Sequence, residues 1–268
     1  MRIVDVHTHA FADEVAARAT PALAEHGGVT PSYDGTVAGL VASMDRAGVA
    51  VSVVQPVATK PSQVRTINDW AAALDGSGAP SVGRVIAFGA MHPDFEDPAR
   101  EIARMAAMGV RGVKMHPDYQ EYVPTEPRLR PIYESVREHG MWMLLHAGGD
   151  IAAHTHYGTP ETYAEVLAEW PGLKLILAHM GGWMDWEASA EHIIGREVYL
   201  DTAYTPGHLP DAEFVALVRD HGADRVMFGS DGPWADQATE IARLKATGLD
   251  DGELEGILGG NARRLLGI

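Results

Sequence analysis

The sequence predicts a single-domain (β/α)8 barrel over residues 1–268, closed at its end by C-terminal helices. Three observations carry that expectation. Short β-branched or apolar runs alternate with amphipathic stretches along the whole chain, and eight such runs can be counted. Barrels of this kind commonly occupy about 250 residues as one domain, and this chain has 268. An open doubly wound sheet often places a Gly-rich phosphate loop after its first strand, whereas Thr8-His9-Ala10-Phe11 stands there here.

The predicted strands, in order, are Ile3–Val6, Val49–Gln55, Arg84–Ala90, Gly112–Met115, Met141–Leu145, Leu173–Ala178, Val198–Asp201 and Arg225–Phe228. They read as continuous apolar runs, as parallel strands buried on both faces should. The clearest helices are Thr36–Ala47, Phe95–Met108, Arg128–Glu138, Pro160–Trp170 and Asp211–His221. Glycine follows several of them just before a strand, as in Ala47-Gly48-Val49, Met108-Gly109-Val110 and His139-Gly140-Met141. A glycine there lets the helix end in a left-handed turn. Asp250–Ile268 reads as two short helices joined at Gly259-Gly260, and the stretch from Thr8 to Asp34 carries no assigned helix. No internal repeat or interdomain linker is visible.

Composition narrows the function. Asp and Glu number 37 against 21 Lys and Arg, a net charge of −16. Nucleic acids and anionic membranes attract a positive field, so neither is an expected partner; a small-molecule substrate is, and homo-oligomerisation stays open. Cysteine is absent, which excludes disulfides and thiolate ligands and leaves His and carboxylates to hold any metal. Met1 leads straight into the first strand and no apolar run approaches the ~18 residues of a membrane span. A cytoplasmic location is expected.

His7-Thr8-His9 is the sharpest motif. Side chains at i and i+2 of a strand share a face, so both imidazoles can converge on one ion, although two histidines that happen to be neighbours would look the same. The end of a first barrel strand is where active sites of this architecture lie. Of 13 histidines, six stand at predicted strand ends: His7, His9, His92, His116, His146 and His179. A metal or proton-transfer site explains that concentration more directly than packing does. Asp231 leaves the last strand in Val226-Met227-Phe228-Gly229-Ser230-Asp231-Gly232; it could be a ligand or a helix cap.

Taken together, DVHTH in the first strand, LLHAG in the fifth, LILAHMGG in the sixth and VMFGSDGPW in the eighth resemble the amidohydrolase superfamily. The resemblance is nearest to its amidohydrolase-related branch, which includes aminocarboxymuconate-semialdehyde decarboxylase. It implies that His7, His9, His146 and Asp231 bind one divalent metal, usually zinc. It also implies that Asp231 serves as base for a metal-activated water, with His179 as proton shuttle or stabiliser. The physical chemistry agrees, since zinc held by imidazoles and a carboxylate can lower the pKa of its water to about 7.

Lys114 and His116 share a face of the fourth strand and are expected to bind a substrate carboxylate or carbonyl. In binuclear relatives a lysine here bridges two metals, but the motifs present resemble the mononuclear branch. Trp183, Trp186 and Trp234 are expected as pocket walls or packing, and His154–His156 as a lid or surface feature. The leading expectation is hydrolysis of a small amide, lactone or ester; the alternative is metal-dependent non-oxidative decarboxylation of an unsaturated or aromatic acid. Decarboxylases of the branch usually carry a longer insertion after the first strand, which favours hydrolysis. TatD-type DNases resemble the chain at the first HxH but carry Glu in the fourth strand, and the net charge opposes DNA.

Overall fold

The computed structural model describes residues 2–76, 83–151 and 155–268. Its strands are β1 (Ile3–Thr8), β2 (Val49–Val54), β3 (Val85–Ala87), β4 (Gly89–Ala90), β5 (Gly112–Met115), β6 (Trp142–Leu145), β7 (Lys174–Leu177), β8 (Tyr199–Asp201) and β9 (Val226–Met227). All neighbouring pairs are parallel, in the orders β1-β2-β3 and β4 through β9. The third predicted strand is thus two pieces around Phe88, whose N–H donates to Val54 O at 2.9 Å and links them. The ring closes where Val6 N–H donates to Phe228 O (2.9 Å), Asp231 N–H donates to His7 O (2.8 Å) and Thr8 bridges Gly232. The protein is a single-domain (β/α)8 barrel with C-terminal helices.

Two apolar layers hold it together. Val4, Val6, Val51, Val53, Ile86, Phe88, Leu144 and Ile176 fill the barrel interior, where Ala262 and Leu266 of the last helix (Asn261–Leu266) join them. The opposite strand faces, such as Val49, Val85, Val113 and Leu175, pack against helix residues including Leu40, Met44, Ile102 and Ile132. Each strand is therefore buried on both sides, which is why its sequence reads as a continuous apolar run. Turn chemistry is equally local. Thr36, Asp97, Thr159, Asp236 and Asp250 cap helices with side-chain oxygens, and Gly48 ends the helix Val37–Ala47 at φ 72°.

The region after β1 departs from expectation. Asp13–Gly27 is a helix, despite Pro21 within it, and it leaves through Gly28 at φ 64°. Only Ala16, Thr20 and Ala24 are buried on it, so its apolar stripe is too thin to stand out as periodicity. Val64–Gly76 and Gln237–Ala246 are further helices that the pattern did not announce. Among the described residues no helix is long and apolar enough to cross a membrane.

Candidate metal centre and active-site cavity

The site begins with a change of parity in β1. Val4 and Val6 point into the barrel core, yet His7 and His9 both line the cavity above it. A register irregularity between Asp5 and Thr8 absorbs the extra step. Space for the His7 side chain comes from Gly229, where an added Cβ would lie 2.8 Å from the His7 Cβ. Asp231 meets the two histidines from the far side of the closure, at φ 68°. A left-handed backbone at a non-glycine residue is strained, and here it is anchored by the Asp231 N–H bond to His7 O.

The donor atoms converge. Asp231 Oδ1 lies 3.0 Å from His9 Nε2 and 3.4 Å from His7 Nε2, and ligand atoms of the three residues all lie within 4.8 Å of one another. His7 Nδ1 stands 2.9 Å from Asp201 Oδ2. That carboxylate can only accept, so it fixes the proton on Nδ1 and leaves a lone pair on Nε2 facing the Asp231 oxygen. Two lone-pair atoms held face to face are satisfied by a cation between them, and a carboxylate behind a ligating histidine is the usual support for a metal. Burial pushes the His7 pKa well below its ordinary value, with Lys114 adding to the effect, so the ring is neutral as a ligand must be. For Asp231 burial works the other way, but His7 and His9 outweigh it and hold the carboxyl below the usual range.

His146 and His179 form a second facing pair. His179 Nδ1 meets Ala203 O at 2.8 Å, His146 Nε2 meets Gly149 O at 2.8 Å, and the remaining nitrogens, His179 Nε2 and His146 Nδ1, lie 3.1 Å apart. Carbonyls accept, so each ring carries its proton on the far nitrogen. The facing nitrogens are then both lone-pair atoms unless one positive charge is shared with them. Burial, with His116 and His179 close by, drives His146 far down, which opposes a proton there and favours a metal ion. To join His7, His9 and Asp231, His146 must turn from His179 or release its bond to Gly149 O; as it stands, its ligand atom groups with His116 and Asp150.

His179 sits at φ 58°, and Trp186 Nε1 donates to its carbonyl at 3.1 Å. Gly148, at φ 84°, allows Trp183 to approach so closely that a Cβ would fall 2.2 Å from Trp183 N. Trp183 N–H donates to Ala147 O (2.8 Å) and Gly149 N–H to Trp183 O (2.9 Å); this clasp sets the Gly149 carbonyl that His146 meets.

Lys114 is the unusual cation. It is fully buried in β5, its Nζ makes no hydrogen bond among the described residues, and burial lowers its pKa to about 8 against the pull of Asp231, Asp201 and Asp150. A buried ammonium with no partner is costly, so its place on the cavity wall points to an anion brought by a ligand. His116, beside it, is 3.3 Å from Asp150 Oδ2 and stacks on His146 with centroids 4.0 Å apart. Burial drives His116 down to about 4 even with Asp150 beside it, so at neutral pH it offers hydrogen bonds and no charge.

All seven residues singled out from the sequence, His7, His9, Lys114, His116, His146, His179 and Asp231, line one cavity of about 920 Å³. Trp183 and Trp234 line it as well, while Trp186 acts from behind His179. His92 stands apart, its Nδ1 accepting from Asp94 N–H at 3.1 Å. His156 is exposed, 3.3 Å from Asp185, and His154 lies outside the described residues. Sequence reasoning missed Asp201 and Asp150. Asp201 carried the same signal as Asp231, a carboxylate at the exit of an apolar strand; Asp150 is in a loop and carried none.

The amidohydrolase family model matches residues 4–268. The chain belongs to the amidohydrolase family. The four motifs read from the sequence lie within the matched span, and the chain shares its fold with decarboxylases. The structure of 5-carboxyvanillate decarboxylase from Sphingomonas paucimobilis superposes with a TM-score of 0.75 at 18% identity, covering 100% of this chain and 99% of that one. That of 2,6-dihydroxybenzoate decarboxylase from Rhizobium gives 0.71 at 18%, with 100% and 99% covered. A manganese-bound 5-carboxyvanillate decarboxylase from Novosphingobium aromaticivorans gives 0.74 at 14%, with 100% and 97% covered. No curated protein matches the sequence.

Proposed function

We propose that this amidohydrolase-family enzyme is a metal-dependent, non-oxidative decarboxylase of an aromatic or unsaturated carboxylic acid. The observation that carries the reading is Lys114, a buried cation with no hydrogen-bond acceptor among the described residues, on the wall of the cavity that holds the candidate metal ligands. The decarboxylases that share the fold over the whole chain support it. The stretch after β1 holds the helix Asp13–Gly27.

His7, His9 and Asp231 would hold the metal, His146 would complete the set on turning from its present neighbours, and Asp201 would orient His7. A divalent ion there supplies Lewis acidity and a template for an anionic substrate. Manganese and zinc both suit an imidazole and carboxylate donor set. Lys114 pairs with the substrate carboxylate or an adjacent oxygen, and His116 adds a hydrogen bond. His179, once it carries a second proton on Nε2, hands that proton to the carbon that bears the carboxylate. As that C–H bond forms, the C–C bond to the carboxylate breaks, carbon dioxide departs, and the pair it leaves restores the double bond. The apolar walls exclude water, which would otherwise screen Lys114 and compete for the proton.

One observation favours the second reading, hydrolysis of a small amide, lactone or ester. Asp231 is held ionised beside the candidate metal, as a general base for water requires. The deciding experiment loads the purified enzyme with manganese or zinc and follows carbon dioxide release from hydroxybenzoates and unsaturated acids. A panel of lactones, amides and esters is run in parallel. Decarboxylation without hydrolysis is the expected result; ester, amide or lactone cleavage with no carbon dioxide overturns it.

A further inference from the structure

Resting on the carboxylic-acid reading, we infer that the substrate is a monoanion with a long uncharged apolar extension, lodged between the helix Asp13–Gly27 and the segment around Trp70. The cavity is about 920 Å³, near the top of the range of roughly 300–1,000 Å³ that suits drug-sized ligands. A single-ring acid bound at the metal leaves most of that volume unfilled. The excess space has a definite character. Phe11, Val15, Leu23, Ile67 and Trp70 line it, and Val15 is 40% exposed on a helix whose buried side is Ala16, Thr20 and Ala24. Val15 and Leu23 therefore face the cavity rather than the protein core, while Ile67 and Trp70 line it and also pack against the core.

Charge on the lining sets the other half of the inference. Among the described residues Lys114 is the only lysine or arginine that lines the cavity, and it stands at the metal end. The helix contributes Glu14 and His26 to the lining and no lysine or arginine. One anionic group is provided for at the floor by Lys114, and a second at the far end would meet the Glu14 carboxylate with no permanently charged counter-ion. An alkyl or aryl extension gains from the apolar wall.

The test measures binding of benzoate, 4-hexylbenzoate and a 4-(5-carboxypentyl)benzoate control to the enzyme with and without manganese, by calorimetry or competition. The hexyl compound should bind at least tenfold tighter than benzoate, and the control no tighter than benzoate. Val15→Asp and Leu23→Asp, both on the partly exposed helix face, should erase the hexyl gain while leaving benzoate affinity within twofold. Equal affinity for benzoate and the hexyl compound overturns the proposal, as does equal affinity for the hexyl compound and its carboxylated control. Failure of all three to bind also overturns it. Chain-length dependence that persists without any dependence on manganese would leave the apolar arm standing and overturn the metal reading alone.

Discussion

Replacing Asp201 with asparagine probes the candidate centre through a residue that would not touch the metal. Asp201 Oδ2 accepts from His7 Nδ1 at 2.9 Å, and Oδ1 accepts from the backbone N–H groups of His179 and Ala203, each at 3.0 Å. Asparagine has one acceptor oxygen and one NH2. If the oxygen stays with the two buried N–H groups, the NH2 faces His7 Nδ1 and demands its lone pair. The ring proton then moves to Nε2, the atom that should bind metal. If the oxygen turns to His7, two buried N–H groups face a donor, so the first arrangement prevails. Loss of such an orienting partner typically costs 10–100-fold in metal affinity, about 1.4–2.7 kcal/mol. At a metal concentration 100 times the wild-type Kd, binding stabilises the wild type by about 2.7 kcal/mol. A 100-fold weaker variant would keep about 0.4 kcal/mol of that. For a chain of this size the metal-induced rise in Tm should shrink from roughly 5–11 °C to about 1 °C. Chelator competition and thermal melts with and without metal read both quantities. A D201N protein with wild-type metal affinity and an unchanged melting increment would refute the tautomer argument.

Four further outcomes are expected. Lys114→Met should weaken binding of a carboxylate probe at least tenfold without lowering Tm, because an unpartnered buried ammonium does not stabilise the fold; a lowered Tm with unchanged probe affinity would assign the lysine a structural role. Lys114 is shifted from 10.5 to about 8, so the unfolded chain binds the extra proton between those values. Its burial cost is therefore full below about pH 8 and relieved towards 10.5, while carboxylate affinity should fall as pH rises through about 8 in a titration series. Asp231→Asn should reduce both metal affinity and turnover, whereas His179→Asn should retain metal yet lose turnover by about 10²–10³-fold; elemental analysis at one metal per chain with steady-state rates separates the two. Gly229→Ala, whose Cβ would press on His7 at 2.8 Å, should cost about 1–3 kcal/mol of stability and weaken metal binding, both visible in melts with added manganese.

The amino-acid order by itself determined the architecture and singled out the candidate residues that the barrel gathers in one cavity. Barrel strands are buried on both faces and their helices end in glycine, so Gly112–Met115 and Asp211–His221 could be read from local pattern to the residue. The rim histidines were legible because the end of each parallel strand delivers its side chain to the same mouth. Tertiary structure alone decided how those side chains stand to one another. Asp201 lies 194 positions from His7 in the chain, and nothing local marks it as the group that sets the His7 tautomer. The fourth expected ligand, His146, turned out to bond Gly149 O and to face His179, since its orientation depends on a carbonyl in the loop that follows it. Lys114 read as a substrate contact, but only the closed barrel revealed that no described residue accepts a hydrogen bond from it. The helix Asp13–Gly27 escaped notice because its apolar residues face a cavity instead of a core, and that cavity exists only once the barrel has closed.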